Sequence, residues 1–334
     1  MNRFRIAIIG TGYIAHYHAR ALQLLPDVEI AIVVDNQLDK ANKFAEIYKT
    51  KEIATDAMAL VDRPDINAVL ILTPNKFHAP YTIEFLSRGK DVFLEKPMAM
   101  NASEGDQIIE VSNRNGQLVM VGHMWRFDAE VDYIKKVVDS GRLGKIVKTK
   151  GYGIHENWGP SGWFTQKELA GGGALADMGV HAIDTVRYIL GDPKPLSVYA
   201  AIDTQYGNYD VDDNGIVIIS WDNGVHSIIE SGWWHPHMDG VEAATRLFGT
   251  KGYGSVFPTC YKADEGKTKE EYKPQGPLKS EHCDQSIYNR QMEYFIECIR
   301  TRKQPSPGLK EGQTVLNIVD AAYLSAKKNE LIRL

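Results

Sequence analysis

Short, almost wholly apolar runs alternate with amphipathic stretches over the first 120 or so residues. The runs are Arg5-Ile6-Ala7-Ile8-Ile9-Gly10, Glu29 to Val34 ending at Asp35, Ala68 to Leu72, Asp91 to Leu94, and Leu118 to Val121. Ala68–Leu72 is followed by Thr73-Pro74-Asn75, and Asp91–Leu94 by Glu95-Lys96-Pro97. Runs this short and without alternation suit parallel strands buried on both faces. The stretches at 14–25, 37–48, 78–88 and 103–115 carry apolar residues at helical spacing, and Pro26-Asp27 stops the first of them. Strands separated by helices of this length imply right-handed crossovers and a parallel, doubly wound sheet.

From about residue 124 the pattern changes. A helix over 128–139 leads into runs at 145–154, 196–206, 213–221 and 224–232, where polar and apolar residues alternate and aromatics are frequent. Such alternation predicts a mixed, largely antiparallel sheet with one open face. Helices are expected at 179–190, 286–302 and 311–328. Residues 262–281, rich in lysine, glutamate, proline and glycine, read as an exposed loop. The expected fold class is α/β, with one domain over 1–123 and an α+β domain over 124–334, its last helix free to pack back on the first. An open sheet face calls for cover, which predicts a homodimer or homotetramer built through the C-terminal sheet.

Composition narrows the function classes. A net charge of -5 supplies no electrostatic reason to bind nucleic acid or an acidic membrane surface. No segment reaches the roughly 18 apolar residues of a membrane helix. Ile6-Ala7-Ile8-Ile9 is too short for the apolar part of a signal peptide. Cys260, Cys283 and Cys298 form no CxxC pair and read as reduced thiols. A cytoplasmic protein is expected.

Gly10-Thr11-Gly12-Tyr13-Ile14-Ala15 follows a strand and opens a helix, the setting of a dinucleotide-binding fingerprint and hence of a Rossmann domain. Gly10 allows the tight turn, Gly12 lets backbone approach a pyrophosphate, and Ala15 keeps the helix close to the sheet. The helix N-terminus offers unpaired N–H groups to phosphate. Gly10, Gly12, Tyr13 and Ile14 are therefore candidate cofactor contacts. Asp35 ends the second strand at the offset of a ribose-binding acid. A carboxylate there repels a 2′-phosphate, and Asn36 and Gln37 bring no arginine to hold one, so NAD is favoured over NADP. An ordinary glycine turn and strand-ending aspartate is the plainer reading; loop, helix, strand and acid in register speak for the cofactor.

Oxidising an alcohol with NAD needs a group to take the hydroxyl proton. Lys96 follows a strand at the carboxyl edge where open α/β sheets bind ligands, although a surface lysine before a turn reads as well from position alone. A second constellation is Asp177, His181 and Asp184, placed four and three residues apart after Gly171-Gly172-Gly173. On one helix they share a face, where an aspartate beside an imidazole suits proton transfer. An amphipathic helix with a polar outer stripe is the alternative. His235 and His237 alone make no metal site, and none is expected. His16 and His18 read as structural or solvent-facing.

The whole chain resembles the Gfo/Idh/MocA family, on Gly10-Thr11-Gly12-Tyr13-Ile14-Ala15, Thr73-Pro74-Asn75 with His78, Glu95-Lys96-Pro97 and Asp177-x-x-x-His181. The resemblance implies a Rossmann domain joined to an open-faced mixed sheet. It implies a catalytic pair of Lys96 and His181, with Asp177 ordering them and touching substrate. It further implies cofactor contacts at Thr73, Pro74, Asn75, His78, Glu95 and Lys96, and a cis Pro97. Members mostly act on sugars, cyclitols and their derivatives, so an inositol-like polyol or sugar is the expected substrate. Gly153 to Trp158 is similar to a substrate-contact strand of inositol dehydrogenases, with His155 and Asn157 on one strand face and Arg126 and Asp184 as further hydroxyl partners. Trp163, Trp233 and Trp234 are candidates to stack on a sugar ring, and equally to be core or subunit contacts. An NAD-recycling glycosidase and a non-catalytic NAD(H) sensor are the alternatives.

Overall fold

The computed structural model describes residues 3–237, 241–263, 268–271 and 284–334, with only the backbone of 268–271. Two compact units emerge: Met1–Met124 with Cys283–Gln313, and Trp125–His282 with Thr314–Leu334. The first boundary lies where the hydrophobic pattern changes. The second crossing, near residue 283, was not among the sequence expectations, which placed one boundary at 123/124 and left only the last helix free to return.

The first unit is a parallel sheet of β1 (Phe4–Ile9), β2 (Val28–Val34), β3 (Glu52–Ala54), β4 (Ala68–Ile71), β5 (Asp91–Leu94) and β6 (Val119–Val121), in the order β3-β2-β1-β4-β5-β6. Ile6, Ile8, Val69, Leu70, Val92 and Phe93 are wholly buried, as unalternating strands require. Helices α1 (Tyr13–Gln23), α2 (Leu38–Tyr48), α3 (His78–Ser87) and α4 (Ala102–Asn115) make the crossovers. Strand order reverses between β1 and β4, so the carboxyl ends of these two central strands flank the crevice where such sheets take ligands. The edge strand β3 was missed, being three residues long and half-buried.

The second unit opens with α5 (Ala129–Asp139) and β7 (Ile146–Glu156), followed by the short α6 (Lys167–Ala170) and by α7 (Val180–Ile189). Then come β8 (Pro195–Asp203), β9 (Asn214–Trp221), β10 (His226–His235), β11 (Ala243–Gly249), β12 (Gly252–Val256), β13 (Cys260–Ala263) and β14 (Thr268–Glu271). Helix α8 (Gln285–Thr301) belongs to the first unit, where it packs on α1, and α9 (Leu309–Lys328) carries the chain back to β15 (Ile332–Arg333). The nine strands run β14-β13-β12-β11-β7-β10-β9-β8-β15, antiparallel except for the β7–β10 pair. The loop expected over 262–281 is corrected in part: 262–263 finish β13 and 268–271 form β14, and the remainder lies outside the described residues.

Alternation along β8 and β9 sends Val198, Ala200, Val217 and Ile219 inward and leaves Tyr199, Ile216 and Ile218 exposed. Cross-strand register sets Tyr199 beside Ile218, and Ile218 beside Ile228, so the outer face carries an apolar row. The inner face is covered by α7, which packs on β7, β10 and β11. Cys260 and Cys298 are free thiols; Cys283 is outside the described residues.

Candidate active site

In the first unit the carboxyl ends of four parallel strands line up the expected residues: Gly10 after β1, Asp35 after β2, Thr73 after β4 and Lys96 after β5. Gly10 has φ of +93°, and a Cβ there would sit 2.5 Å from the carbonyl oxygen of Leu72. The turn from β1 therefore presses on the end of β4, which only glycine permits. Around Gly12 the space is open; no atom lies within 4 Å of where its Cβ would be. The first turn of α1 has no side-chain cap and no acidic residue, so no carboxylate competes there with an anion.

Asp35 locks onto this loop. One carboxylate oxygen accepts from the Thr11 N–H (3.1 Å) and hydroxyl (2.8 Å), and the other from the Gln37 N–H (2.9 Å). The loop, helix end and carboxylate fit a dinucleotide: an open cradle, uncapped donors and an acid held beside them.

The turn after β5 is anchored from two sides. Lys96 donates its backbone N–H to the Glu95 carboxylate (3.1 Å), whose other oxygen accepts from His18 Nε2 (2.9 Å). Burial pushes the Glu95 carboxyl up, but the His18 hydrogen bond and charge, with Lys96, hold it below the usual carboxylate range. His78 spans the second side, its ring nitrogens 2.7 Å from the Pro97 carbonyl and 2.9 Å from the Thr73 carbonyl. Burial pushes the His78 imidazole below the usual histidine range, against the two carbonyl hydrogen bonds, which favour its charged form. His78 thus ties the ends of β4 and β5 together. The Lys96–Pro97 peptide is cis, as the resemblance implies.

His18 was read from sequence as structural or solvent-facing; it is fully buried and bonded to the residue before Lys96. The signal was present, because Ala15, His18, Ala19 and Leu22 form the buried stripe of α1. A histidine on the apolar stripe behind a nucleotide loop requires a polar partner.

In the second unit Asp177 lies in a π-helical turn, Leu175–Gly179, that runs directly into α7, and His181 in the first turn of α7. Single π turns inside helices recur at functional sites. The Asp177 carboxylate accepts from the indole N–H of Trp233 (3.2 Å), and the buried His181 ring packs 5.1 Å from that of Trp125.

Other expectations met a different environment. Arg126 and Asp184, expected to bind substrate hydroxyls, are buried and engaged with each other in a bidentate pair (2.7 and 2.9 Å); Arg126 also bonds Asp192, which in turn holds Arg187. Burial works against the guanidinium charge, and Asp184 and Asp192 hold it protonated. Asn157 is one residue beyond β7 with φ of +56°, so strand alternation does not put it on the face of His155. His155 is buried, stacked on Trp158 and 3.4 Å from Glu242. Trp233 is fully buried and cannot stack on a sugar, whereas Trp234 is partly exposed. Among the described residues, no group of three or more His, Cys, Asp or Glu side chains is arranged to hold a metal ion, and no helix is long and apolar enough to cross a membrane.

Comparison with known proteins agrees with this architecture. Residues 4–123 match the family model of an oxidoreductase family with an NAD-binding Rossmann fold, and 131–254 match the GFO/IDH/MocA C-terminal domain. D-glucoside 3-dehydrogenase of Escherichia coli is 29% identical, over 99% of this chain and 97% of its own. NAD(+)-dependent scyllo-inositol 2-dehydrogenase of Bacillus subtilis is 26% identical, over 91% and 88%. A structure of levoglucosan dehydrogenase with NADH and levoglucosan shares the fold at a TM-score of 0.89 and 22% identity, over 99% of both chains. With both halves matched in order, the chain belongs to the Gfo/Idh/MocA family of NAD-binding oxidoreductases.

Proposed function

We propose that this protein is an NAD-dependent dehydrogenase that oxidises a CH–OH group of a sugar or cyclitol, or reduces the corresponding ketone. The observation that carries the reading is the alignment of Gly10, Asp35, Thr73 and Lys96 along the carboxyl edge of one parallel sheet, beside the open turn at Gly12. The sugar and inositol dehydrogenases among its relatives support the substrate class. NAD, when bound, supplies the hydride acceptor. Gly10, Gly12, Tyr13, Ile14 and the first turn of α1 hold its phosphates, Asp35 its ribose hydroxyls, and the Thr73–His78 turn with Glu95 and the backbone of Lys96 its reactive end.

In this reading Lys96 takes the proton from the hydroxyl whose carbon loses hydride, and His181 shares in moving it. Asp177 orients them and accepts a hydrogen bond from substrate. His155 and Asn157 serve hydroxyls away from the reacting carbon, His155 through an imidazole held by Trp158 and Glu242. In this reading Arg126 and Asp184 hold each other rather than substrate hydroxyls. The test is absorbance of NADH on adding NAD and a panel of glucosides, aldoses and inositols to the purified protein; a panel-wide silence in both directions sinks the proposal.

Two expectations follow. Asp35→Ala removes the carboxylate that disfavours a 2′-phosphate, so the ratio of kcat/KM for NAD over NADP falls by about tenfold or more, the order of one lost charge-assisted contact; an unchanged ratio removes Asp35 from cofactor choice. The second concerns assembly. The apolar row Tyr199, Ile216, Ile218 and Ile228 is proposed to be covered by a second copy of the chain. Ile218→Glu is expected to convert a dimer or tetramer to monomer by light scattering, and a wild-type monomer contradicts this.

A further inference from the structure

Asp177 is held from two sides by residues far from it in sequence. Asp212, in the turn before β9, gathers the N–H groups that open the π turn. Its carboxylate accepts from Gly173 N–H (2.7 Å), Leu175 N–H (2.8 Å) and the Tyr323 hydroxyl (2.7 Å), and its own carbonyl accepts from Ala174 N–H (2.8 Å). These are donors that the start of a helix cannot satisfy from within. A carboxylate bonded to them acts as a cap supplied from another element. Asp177 N–H then bonds the Gly173 carbonyl (2.9 Å), one hydrogen bond away from Asp212. Packing here leaves no slack: a Cβ on Gly173 would lie 1.8 Å from the Asp212 carbonyl oxygen.

The side chain is held separately. Trp233 donates its indole N–H to Asp177 Oδ2, and an indole nitrogen can only donate. The ring is fully buried and edge-on to Tyr209. Its backbone N–H bonds the Asp213 carbonyl (2.9 Å), while the Asp213 carboxylate accepts from the N–H groups of Gln205, Tyr206 and Gly207 and from the Tyr209 hydroxyl. Two adjacent aspartates thus divide the work, one fixing the backbone of Asp177 and the other the tryptophan that fixes its carboxylate.

We propose that Asp212, Tyr323 and Trp233 are positioning residues that set the place and orientation of the Asp177 carboxylate for proton handling. The inference rests on the catalytic reading of Asp177 given above. A hydrogen bond to a charged group is the interaction lost in Trp233→Phe, and a ten- to hundredfold fall in kcat is expected. NAD affinity by fluorescence titration stays at the wild-type value, and the KM for polyol moves less than kcat. Tyr323→Phe, which removes only a hydroxyl, lowers kcat in the same sense by a smaller factor.

Two readouts separate positioning from general damage. Misfolding of a fraction of molecules lowers kcat but leaves the primary deuterium isotope effect of the remainder unchanged; slowed chemistry raises that effect towards its intrinsic value. In a double-mutant cycle, Trp233→Phe added to Asp177→Asn costs little beyond Asp177→Asn alone. Additive losses, or an unchanged isotope effect in both Trp233→Phe and Tyr323→Phe, overturn the proposal and leave the catalytic reading standing. A fully active Asp177→Asn removes the catalytic reading itself, and this proposal with it.

Discussion

Replacing Lys96 by alanine is expected to lower kcat by about 10²–10⁴-fold, the range of a positioned acid–base group, while NAD binds with wild-type affinity. The separation of the two effects follows from how the turn is held. Three anchors are made by atoms other than the amine: the Lys96 backbone N–H on Glu95, the Glu95–His18 bond, and His78 on the Pro97 carbonyl. The cradle proposed for the cofactor is the Gly10–Ala15 turn with Asp35, on other strands. Removing the side chain therefore deletes the proposed proton acceptor and leaves these three anchors in place. A small primary amine added to Lys96→Ala is expected to restore part of the rate. Unchanged turnover removes Lys96 from the mechanism, and loss of NAD binding assigns it to the cofactor instead.

Arg126→Met is expected to destabilise the protein by about 3–5 kcal/mol, because Asp184 is left buried without its counter-charge. For a unit of this size that lowers the unfolding midpoint by about 6–20 °C. Adding Asp184→Leu recovers most of the loss, since Asp192 keeps Arg187 as a partner at 3.0 Å. The refolded double variant is expected to retain the wild-type KM for polyol. A KM raised tenfold or more in a stable double variant returns Arg126 and Asp184 to the substrate site, as the sequence reading had them.

The parts of the fold that were legible share one property: the residues that define them are close together in the chain. Ile6 to Ile9 read as a buried parallel strand because nothing polar interrupts them, and the Gly10–Ala15 turn follows directly. Asp35 was found through its fixed offset, and Lys96 through its place at a strand end. Strands β11 to β14 were not legible; β12 spends two of its five residues on glycine, and β14 is Thr-Lys-Glu-Glu, a composition that reads as loop. Long-range partners were invisible for a different reason. Nothing near Asp177 points to Asp212, 35 positions on, or to Trp233 beyond it. Trp233 read equally as a sugar platform or a core residue, and its burial favours the core; Arg126 and Asp184 read as hydroxyl partners, and the structure pairs them with each other. A polar residue in isolation looks available, and whether a partner has taken it is decided by tertiary structure.

The central claim is that hydride passes from a carbinol carbon of a polyol to NAD on this protein. The direct measurement is mass spectrometry of NADH formed from NAD with glucosides and inositols deuterated at carbon. One deuterium in the NADH, with a keto product formed in equal amount, is the predicted result. Unlabelled NADH, or release of free sugar from a glucoside without net NADH, contradicts it.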